Sequence, residues 1–318
     1  MITGFSGFVG RELIKKLSEE KNNFEFILIK RNKTYSTTQN IKNSKIINWN
    51  IEENKRLNEK IDTIIHLAGE TKNLNKIWPS NFTGTKNIVD LAIDKGVKNI
   101  IFLSSVSVYE KNKKEVVTEN NLKKPKTLYG KSKKYAEEYL EKKCKSYNIN
   151  FVILRPTDIF GCRPPFLPFL SLIKSVKNGH FVFIGDFKKT ILNYIPIENI
   201  AECIIYFLNN DFKISNYILN DPVDLKKTID LIAQTLGTKV PSKHIKYSSG
   251  RTLGLLCDKI NIFSKINLPF NKNSLEELTN TTKYQGTRIL NDSNYNYNYK
   301  TLVTIKNLTK YYLKNNLI

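Results

Sequence analysis

Along its first half the chain alternates short β-branched runs with helix-length segments whose apolar residues recur at three-and-four spacing. The runs predict strands at Phe26 to Ile29, Ile61 to Leu67, Ile100 to Ser104 and Phe151 to Leu154. Between them the spacing predicts helices over Val9 to Glu20, Asn81 to Lys95 and Ser132 to Tyr147, the second stopped by Gly96. This is the pattern of βαβ units, whose crossovers lay strands parallel and cover both faces of a sheet. The expected class is α/β, a doubly wound parallel sheet with a smaller C-terminal α/β region. After about Gly161 the rhythm changes to Pro-punctuated, aromatic-rich segments. The change divides the chain into a domain over 1–160 and a region over 161–318, with the segment around 181–210 expected to return to the first domain. No internal repeat is evident, and the Asn/Tyr-rich stretch Asn291 to Tyr299 is too short to count as low complexity.

Composition narrows the class further. At 318 residues, 40% hydrophobic and 25% charged, the chain has the make-up of an ordinary folded protein, which excludes fibrous, wholly disordered and small stapled scaffolds. The formal charge of +22 raises nucleic acid or an anionic membrane as a partner. The lysines are spread along the whole chain, however, so they read as a solvated surface and no specific nucleic-acid partner is expected. Cys144, Cys162, Cys203 and Cys257 lie far apart, with no C-x-x-C pair, which implies reduced thiols and no metal site. No stretch approaches the ~20 apolar residues of a membrane span. The N-terminus lacks the layout of a signal peptide, so a cytoplasmic location is expected.

Chemistry begins at Gly4-Phe5-Ser6-Gly7-Phe8-Val9-Gly10, where glycines at G-x-x-G-x-x-G spacing stand between a strand and a helix. Such a loop lets backbone N–H groups approach a pyrophosphate at a helix N-terminus, where the dipole favours negative charge. Only Met1, Ile2 and Thr3 precede it, although the strand feeding such a loop is normally about five residues long. The first strand therefore reads as truncated, and the native start is expected upstream of Met1.

A second motif, Tyr129-Gly130-Lys131-Ser132-Lys133, puts a Tyr and a Lys four apart on one helix face. A phenol of reference pKa near 10 can exchange protons at neutral pH only if a nearby cation stabilises its phenolate. A third piece, Ser104-Ser105-Val106-Ser107-Val108-Tyr109, follows a strand and sets hydroxyls at the carboxyl edge of the sheet, where ligands bind in open α/β folds.

These motifs, in this order, resemble the extended short-chain dehydrogenase/reductase family, also called the NAD-dependent epimerase/dehydratase family. The resemblance lies with its nucleotide-sugar epimerases and 4-ketoreductases. It extends through His66-Leu67-Ala68-Gly69, Asn81-Phe82-Thr83-Gly84-Thr85-Lys86-Asn87, Thr118-Glu119, Ala136-Glu137, Leu154-Arg155-Pro156, Phe160-Gly161 and Ile197-Glu198-Asn199-Ile200-Ala201. It implies an NAD(P)-binding Rossmann domain. It also implies Ser105, Tyr129 and Lys133 as catalytic residues: Tyr129 exchanges a proton with the sugar oxygen, Lys133 holds the nicotinamide ribose and lowers the Tyr pKa, and Ser105 hydrogen-bonds the reacting oxygen. Cofactor contacts are implied at Gly4, Ser6, Gly7, Phe8, Val9, Gly10, Arg31, Asn50, Ile51, Leu67, Ala68, Gly69, Asn81, Ser104 and Pro156, with Tyr129 and Lys133.

At the end of the second strand, Lys30 and Arg31 stand where an NAD enzyme usually has an acid for the ribose 2′-OH. A basic residue there suits a 2′-phosphate, so NADP(H) is expected over NAD(H). An exchangeable NADPH fits a net reduction, and the stretch Leu268-Pro269-Phe270 through Tyr295 resembles loosely the tail of enzymes reducing UDP-4-keto-6-deoxy-N-acetylhexosamines for surface polysaccharide. The expected function is C4 ketoreduction of such a nucleotide sugar; the alternatives are a UDP-sugar 4-epimerase and a non-catalytic NADP sensor or scaffold. Val106 and Ser107 stand where a dehydratase would have its acidic pair. The resemblance puts Asp158 beside the substrate diphosphate, with Arg163, Lys188 or Lys189 as candidate compensating cations; Arg251 and Arg288 are other diphosphate candidates, and Thr190 to Asn193 stand where the family commonly has an arginine before the Ile197 strand. The resemblance also implies a homodimer through the helices around Asn81 to Ala92 and Ser132 to Tyr147.

Overall fold

The structure, a computed structural model, describes residues 1–20, 24–31, 41–110, 116–162, 167–264 and 270–318. Seven strands form one sheet in the spatial order Ser44–Asn48, Phe26–Lys30, Ile2–Thr3, Thr63–His66, Asn99–Leu103, Asn150–Pro156, Ser215–Leu219. Every pairing in it is parallel. Numbered along the chain, this order is 3-2-1-4-5-6-7, the doubly wound Rossmann arrangement, with its switch point beside Ile2–Thr3. That two-residue strand pairs on both sides, Ile2 with Leu28 and Ile65, Thr3 with Ile29 and His66.

Successive side chains of a strand point to opposite faces, and here both faces are covered. Ile101, Leu103, Val152 and Leu154 join Ile2, Leu13 and Leu17 under the helices Phe8–Glu19 and Ile197–Asn209. Ile64, Ile100, Phe102 and Ile153 face the other way, onto Ile88, Val89, Ala136 and Leu140 of the helices Gly84–Asp94 and Leu128–Ser146. Double burial is why these strands read as continuous apolar runs rather than alternating ones.

Helix Ile197–Asn209 and strand Ser215–Leu219 thus lie in the sheet domain. Phe183 and Tyr194 instead join a second core with Phe160, Phe169, Ile229, Ile305 and Tyr312. This smaller lobe sits beyond the carboxyl ends of the last strands, where Asp158–Phe160 pairs with Tyr194–Pro196.

Two departures from the sequence reading shape the site. The helix expected from Ser132 begins at Leu128, because the Thr127 side chain accepts the Gly130 N–H and caps it one turn earlier. The helix expected from Asn81 is preceded by a π-helical turn, Pro79–Thr83, holding Asn81 fully buried before regular helix starts at Gly84. Among the described residues no helix is long and apolar enough to cross a membrane, and no group of side chains could hold a metal ion. All four cysteines are free thiols.

Candidate active site

The glycine loop is shaped by close backbone approach. Gly4 adopts φ +73°, and a Cβ there would lie 2.5 Å from the Ala68 nitrogen; at Gly10 it would collide with the Gly4 carbonyl oxygen. The Gly7 N–H donates to that same oxygen at 2.9 Å, which closes the turn and leads directly into the helix Phe8–Glu19. No side chain caps this helix. Its first amides therefore form the positive end of a dipole beside exposed Ser6 and Gly7 and half-buried Phe8, while Val9 and Gly10 lie buried beneath. A glycine cradle with an uncapped helix end fits a pyrophosphate.

Across the edge of the sheet, the helix Leu128–Ser146 brings Tyr129 and Lys133 onto the strand Asn99–Leu103 and the serines after it. Lys133 is 3% exposed; its Nζ donates to the Leu103 carbonyl at 2.9 Å and sits 4.9 Å from the Phe102 ring centroid. Burial lowers its pKa to about 8, with the Glu137 carboxylate acting in the opposite sense. Burial raises the Tyr129 phenol to about 12, and a hydrogen bond with Ser105 opposes that rise. Ser105 Oγ also lies 3.1 Å from Ser107 Oγ and accepts the Ser107 N–H at 3.1 Å. The three residues expected to act together thus converge. The restraint on the Tyr129 pKa comes from Ser105, whereas the Lys133 ammonium is directed to Leu103.

Gly69 and Asn81 complete this wall. A Cβ at Gly69 would stand 3.0 Å from Asn81 Oδ1 and 3.3 Å from Lys133 Nζ, so a side chain there would crowd both polar heads. Asn81 is fixed on all sides: its Oδ1 accepts the Glu70 N–H, and its Nδ2 donates to the Glu70 carbonyl and to Ser132 Oγ. Ser132 in turn donates to the Tyr129 carbonyl at 2.8 Å.

Behind Asn81 runs a buried chain that the sequence reading did not single out. Thr85 donates to the Asn81 carbonyl at 2.6 Å, which commits its one proton and leaves its oxygen to accept from His66 Nε2 at 3.0 Å. His66 is then the Nε2–H tautomer, and its Nδ1 accepts from Thr3 Oγ1 at 2.6 Å. Fully buried and facing the Lys133 charge, the ring has its pKa lowered to about 3 and stays neutral. One hydrogen-bonded path therefore joins the strand of the glycine loop to the helix carrying Tyr129.

A second unexpected cluster lies one turn beyond Lys133. Glu137, fully buried, accepts Ser104 Oγ at 2.5 Å and both Arg155 Nε and Nη2 at 2.9 Å, with Lys123 Nζ at 3.1 Å. Arg155 also donates to the Tyr109 hydroxyl and to Asn216. The Ser104 hydroxyl is thereby committed to Glu137. The sequence signal for this cluster was Glu137 at i+4 from Lys133, with Arg155 in a strand otherwise apolar.

The remaining expected contacts line the same edge or lie apart from it. Arg31 is half-exposed, and its guanidinium lies 3.7 Å from Glu52. Asn50 bonds Glu53, and the Ile51 carbonyl accepts Asn87. Leu67 and Ala68 are half-buried against the sheet, and Pro156 ends its strand paired with Leu219. Asp158 is exposed, with its charge felt by Tyr194 and Tyr284. Lys188 is exposed in the turn Phe187–Lys189, and Arg251 is exposed on the helix Tyr247–Ser264. Arg163 lies outside the described residues.

A curated relative, the N-acetyl-α-D-glucosaminyl-diphospho-ditrans,octacis-undecaprenol 4-epimerase of Escherichia coli O157:H7, is 28% identical over 91% of this chain and 88% of its own length. The UDP-glucuronic acid 4-epimerase of Bacillus cereus, solved in complex with NAD, superposes with TM-score 0.72 at 17% identity over 98% of each chain. The UDP-glucose 4-epimerase of Thermotoga maritima, solved with UDP-glucose, gives 0.72 at 16% identity over 99% of this chain and 98% of its own. At such identities the two structures speak to the fold alone. The family model described as "NAD dependent epimerase/dehydratase family" matches residues 1–220, and on that match the chain belongs to the NAD dependent epimerase/dehydratase family.

Proposed function

We propose that this chain is a 4-epimerase acting on a diphosphate-linked hexose or N-acetylhexosamine in surface polysaccharide assembly, with Tyr129 as its proton-transfer residue. The observation that carries this is the convergence of Ser105, Tyr129 and Lys133 at the sheet edge beside a glycine cradle fit for a dinucleotide. The 4-epimerase activity named for the relative covering 91% of the chain supports it over the 4-ketoreductase. A sensor or scaffold needs no proton-transfer set.

The bound dinucleotide supplies the group that accepts and returns hydride. Its pyrophosphate suits the amides of Gly7, Phe8 and Val9, and Lys133 and Asn81 suit its ribose side. Tyr129 holds the proton exchanged with the sugar oxygen, and Ser105 orients both. With the phenol near 12, Tyr129 is protonated at rest. A 4-ketoreductase reading is supported only by the basic pair Lys30 and Arg31 and the NADP(H) it favours, with Glu52 3.7 Å from Arg31 competing for that charge.

Trp78 packs at a tilt against Phe82 of the turn Pro79–Thr83 and Tyr135 of the helix Leu128–Ser146, with ring centroids 5.3 and 5.5 Å away and Tyr135 48% exposed. That aromatic face supports the homodimer. Domains at 1–160 and 161–318 remain part of the reading, with 197–219 in the sheet domain.

The test is to incubate the purified protein, without added nucleotide, with UDP-N-acetylglucosamine and with a short-chain isoprenyl-diphosphate-linked N-acetylglucosamine. Conversion of either to its C4 epimer is expected. Absence of both, with NADPH oxidation on a 4-keto sugar, would move the assignment to the reductase.

A further inference from the structure

Tyr129, Lys133 and Glu137 stand at i, i+4 and i+8 of the helix Leu128–Ser146, each about one turn beyond the last. Lys133 and Glu137 carry charge into the interior, where they are 3% and 0% exposed. A buried charge is costly unless an opposite charge or a full set of hydrogen bonds compensates it. Lys133 has no such partner in direct contact. Its Nζ donates to the neutral Leu103 carbonyl and lies over the Phe102 ring, and among the described residues it forms no ion pair. Of the other polar groups around it, His66 is neutral and Asn81 uncharged, so the negative charge acting on it is that of Glu137.

That carboxylate is shared. Glu137 accepts Arg155 through both Nε and Nη2, Lys123 Nζ, and the Ser104 hydroxyl at 2.5 Å. Glu141, half-buried, adds a second carboxylate 3.4 Å from Lys123 and 4.0 Å from Arg155. Three cations, Lys123, Lys133 and Arg155, thus face two carboxylates, and the cation left without an ion pair is the one beside Tyr129. When Tyr129 gives its proton to the sugar oxygen a phenolate remains, and a surplus positive charge one turn away favours it. Ser104, clamped to Glu137, is followed directly by Ser105, which hydrogen-bonds Tyr129.

We propose that Glu137 is a positioning residue of the proton-transfer step: its buried carboxylate is the counter-charge for Lys133 and, through Ser104, the clamp on the strand end that presents Ser105 to Tyr129. The inference rests on Tyr129 as the proton-transfer residue. It adds the group that keeps the partners of Tyr129 charged and in place.

The experiment follows kcat of the C4 interconversion from about pH 6 to about pH 9.5 in wild type, Glu137→Gln and Glu137→Asp. With Lys133 titrating at about 8, wild-type turnover is expected to fall above that pH. Glu137→Gln keeps the shape and removes the charge, so it should move this fall down by about one pH unit. Glu137→Asp keeps the charge and should return it. Removing one member of a buried pair can unfold a chain, so Glu137→Gln combined with Arg155→Gln, which leaves no lone guanidinium, repeats the comparison. A profile that keeps its wild-type midpoint while kcat drops equally at every pH overturns the inference, because Glu137 then serves the fold alone. A second measurement needs no turnover: the NMR titration of the Lys133 side chain in protein labelled with carbon-13 lysine, assigned with Lys133→Met. Its midpoint should fall by about one pH unit in Glu137→Gln, and an unmoved midpoint also overturns the inference. Wild type that turns nothing over rejects the 4-epimerase reading, and Tyr129→Phe as active as wild type rejects the proton-transfer role; in both cases the Lys133 midpoint still decides whether Glu137 is its counter-charge.

Discussion

Lys133 Nζ donates to the Leu103 carbonyl oxygen at 2.9 Å, a bond that pins a buried ammonium to the end of the strand leading into Ser104 and Ser105. Position is thus gained at a cost in solvation. Burial lowers the Lys133 pKa from 10.5 to about 8, so the folded state holds its proton more weakly than the unfolded chain does. The resulting penalty is complete below about pH 8 and disappears as pH rises to 10.5. At neutral pH it is about 3 kcal/mol, less the ~1 kcal/mol of the hydrogen bond. Lys133→Met should therefore abolish turnover yet raise the urea midpoint at pH 7, with the gain shrinking toward pH 10.5. A midpoint that falls equally at both pH values would show that the lysine stabilises the fold.

The chain from Thr3 through His66 and Thr85 to Asn81 carries its own pH signature. Folding depresses the His66 pKa from 6.5 to about 3, so stability is complete above pH 6.5 and is lost as pH falls toward 3. The slope approaches ~1.4 kcal/mol per pH unit. Replacing His66 with Gln should flatten that slope between pH 6 and 4 in denaturant titrations. The same variant should lower kcat through misplaced Asn81 and Tyr129. An unchanged slope would place the acid sensitivity elsewhere.

Gly10→Ala should be more damaging than most surface changes, because the added methyl collides with the Gly4 carbonyl and the Phe5 backbone. A loss of about 3 kcal/mol is expected, along with loss of dinucleotide binding as the loop is pushed open. Calorimetry of the variant with and without cofactor checks both parts. Wild-type affinity would contradict the cradle.

The expectation of NADP(H) over NAD(H) rests on Arg31 beside Lys30. If it meets a 2′-phosphate, Arg31→Ala weakens NADP(H) binding about tenfold and leaves NAD(H) nearly unchanged. Equal effects on the two, measured by fluorescence titration, would leave Arg31 paired with Glu52 alone.

Much of this was legible in the sequence. The central strands were read correctly because burial on both faces makes Ile100, Ile101, Phe102 and Leu103 apolar without interruption. The edge strand Ser44–Asn48, largely exposed, carries no such run and was not foreseen. The start of the Tyr129 helix was misjudged because its signal was the Thr127 cap and not the apolar spacing. The roles of His66 and Glu137 depend on partners 63 and 18 residues away, and local pattern does not reveal such pairings. Ser105, Tyr129 and Lys133 were singled out through the family resemblance, and the structure places Ser105 within hydrogen-bonding reach of Tyr129, with Lys133 one turn along the same helix.

The most direct test of the 4-epimerase account uses a sugar diphosphate deuterated at C4, with wild type and Tyr129→Phe compared by mass spectrometry. The account predicts epimer retaining its deuterium, formed by wild type without added cofactor and slowed at least about a hundredfold in the variant. Deuterium lost to solvent or to added cofactor, or epimer formed equally fast by Tyr129→Phe, would contradict it.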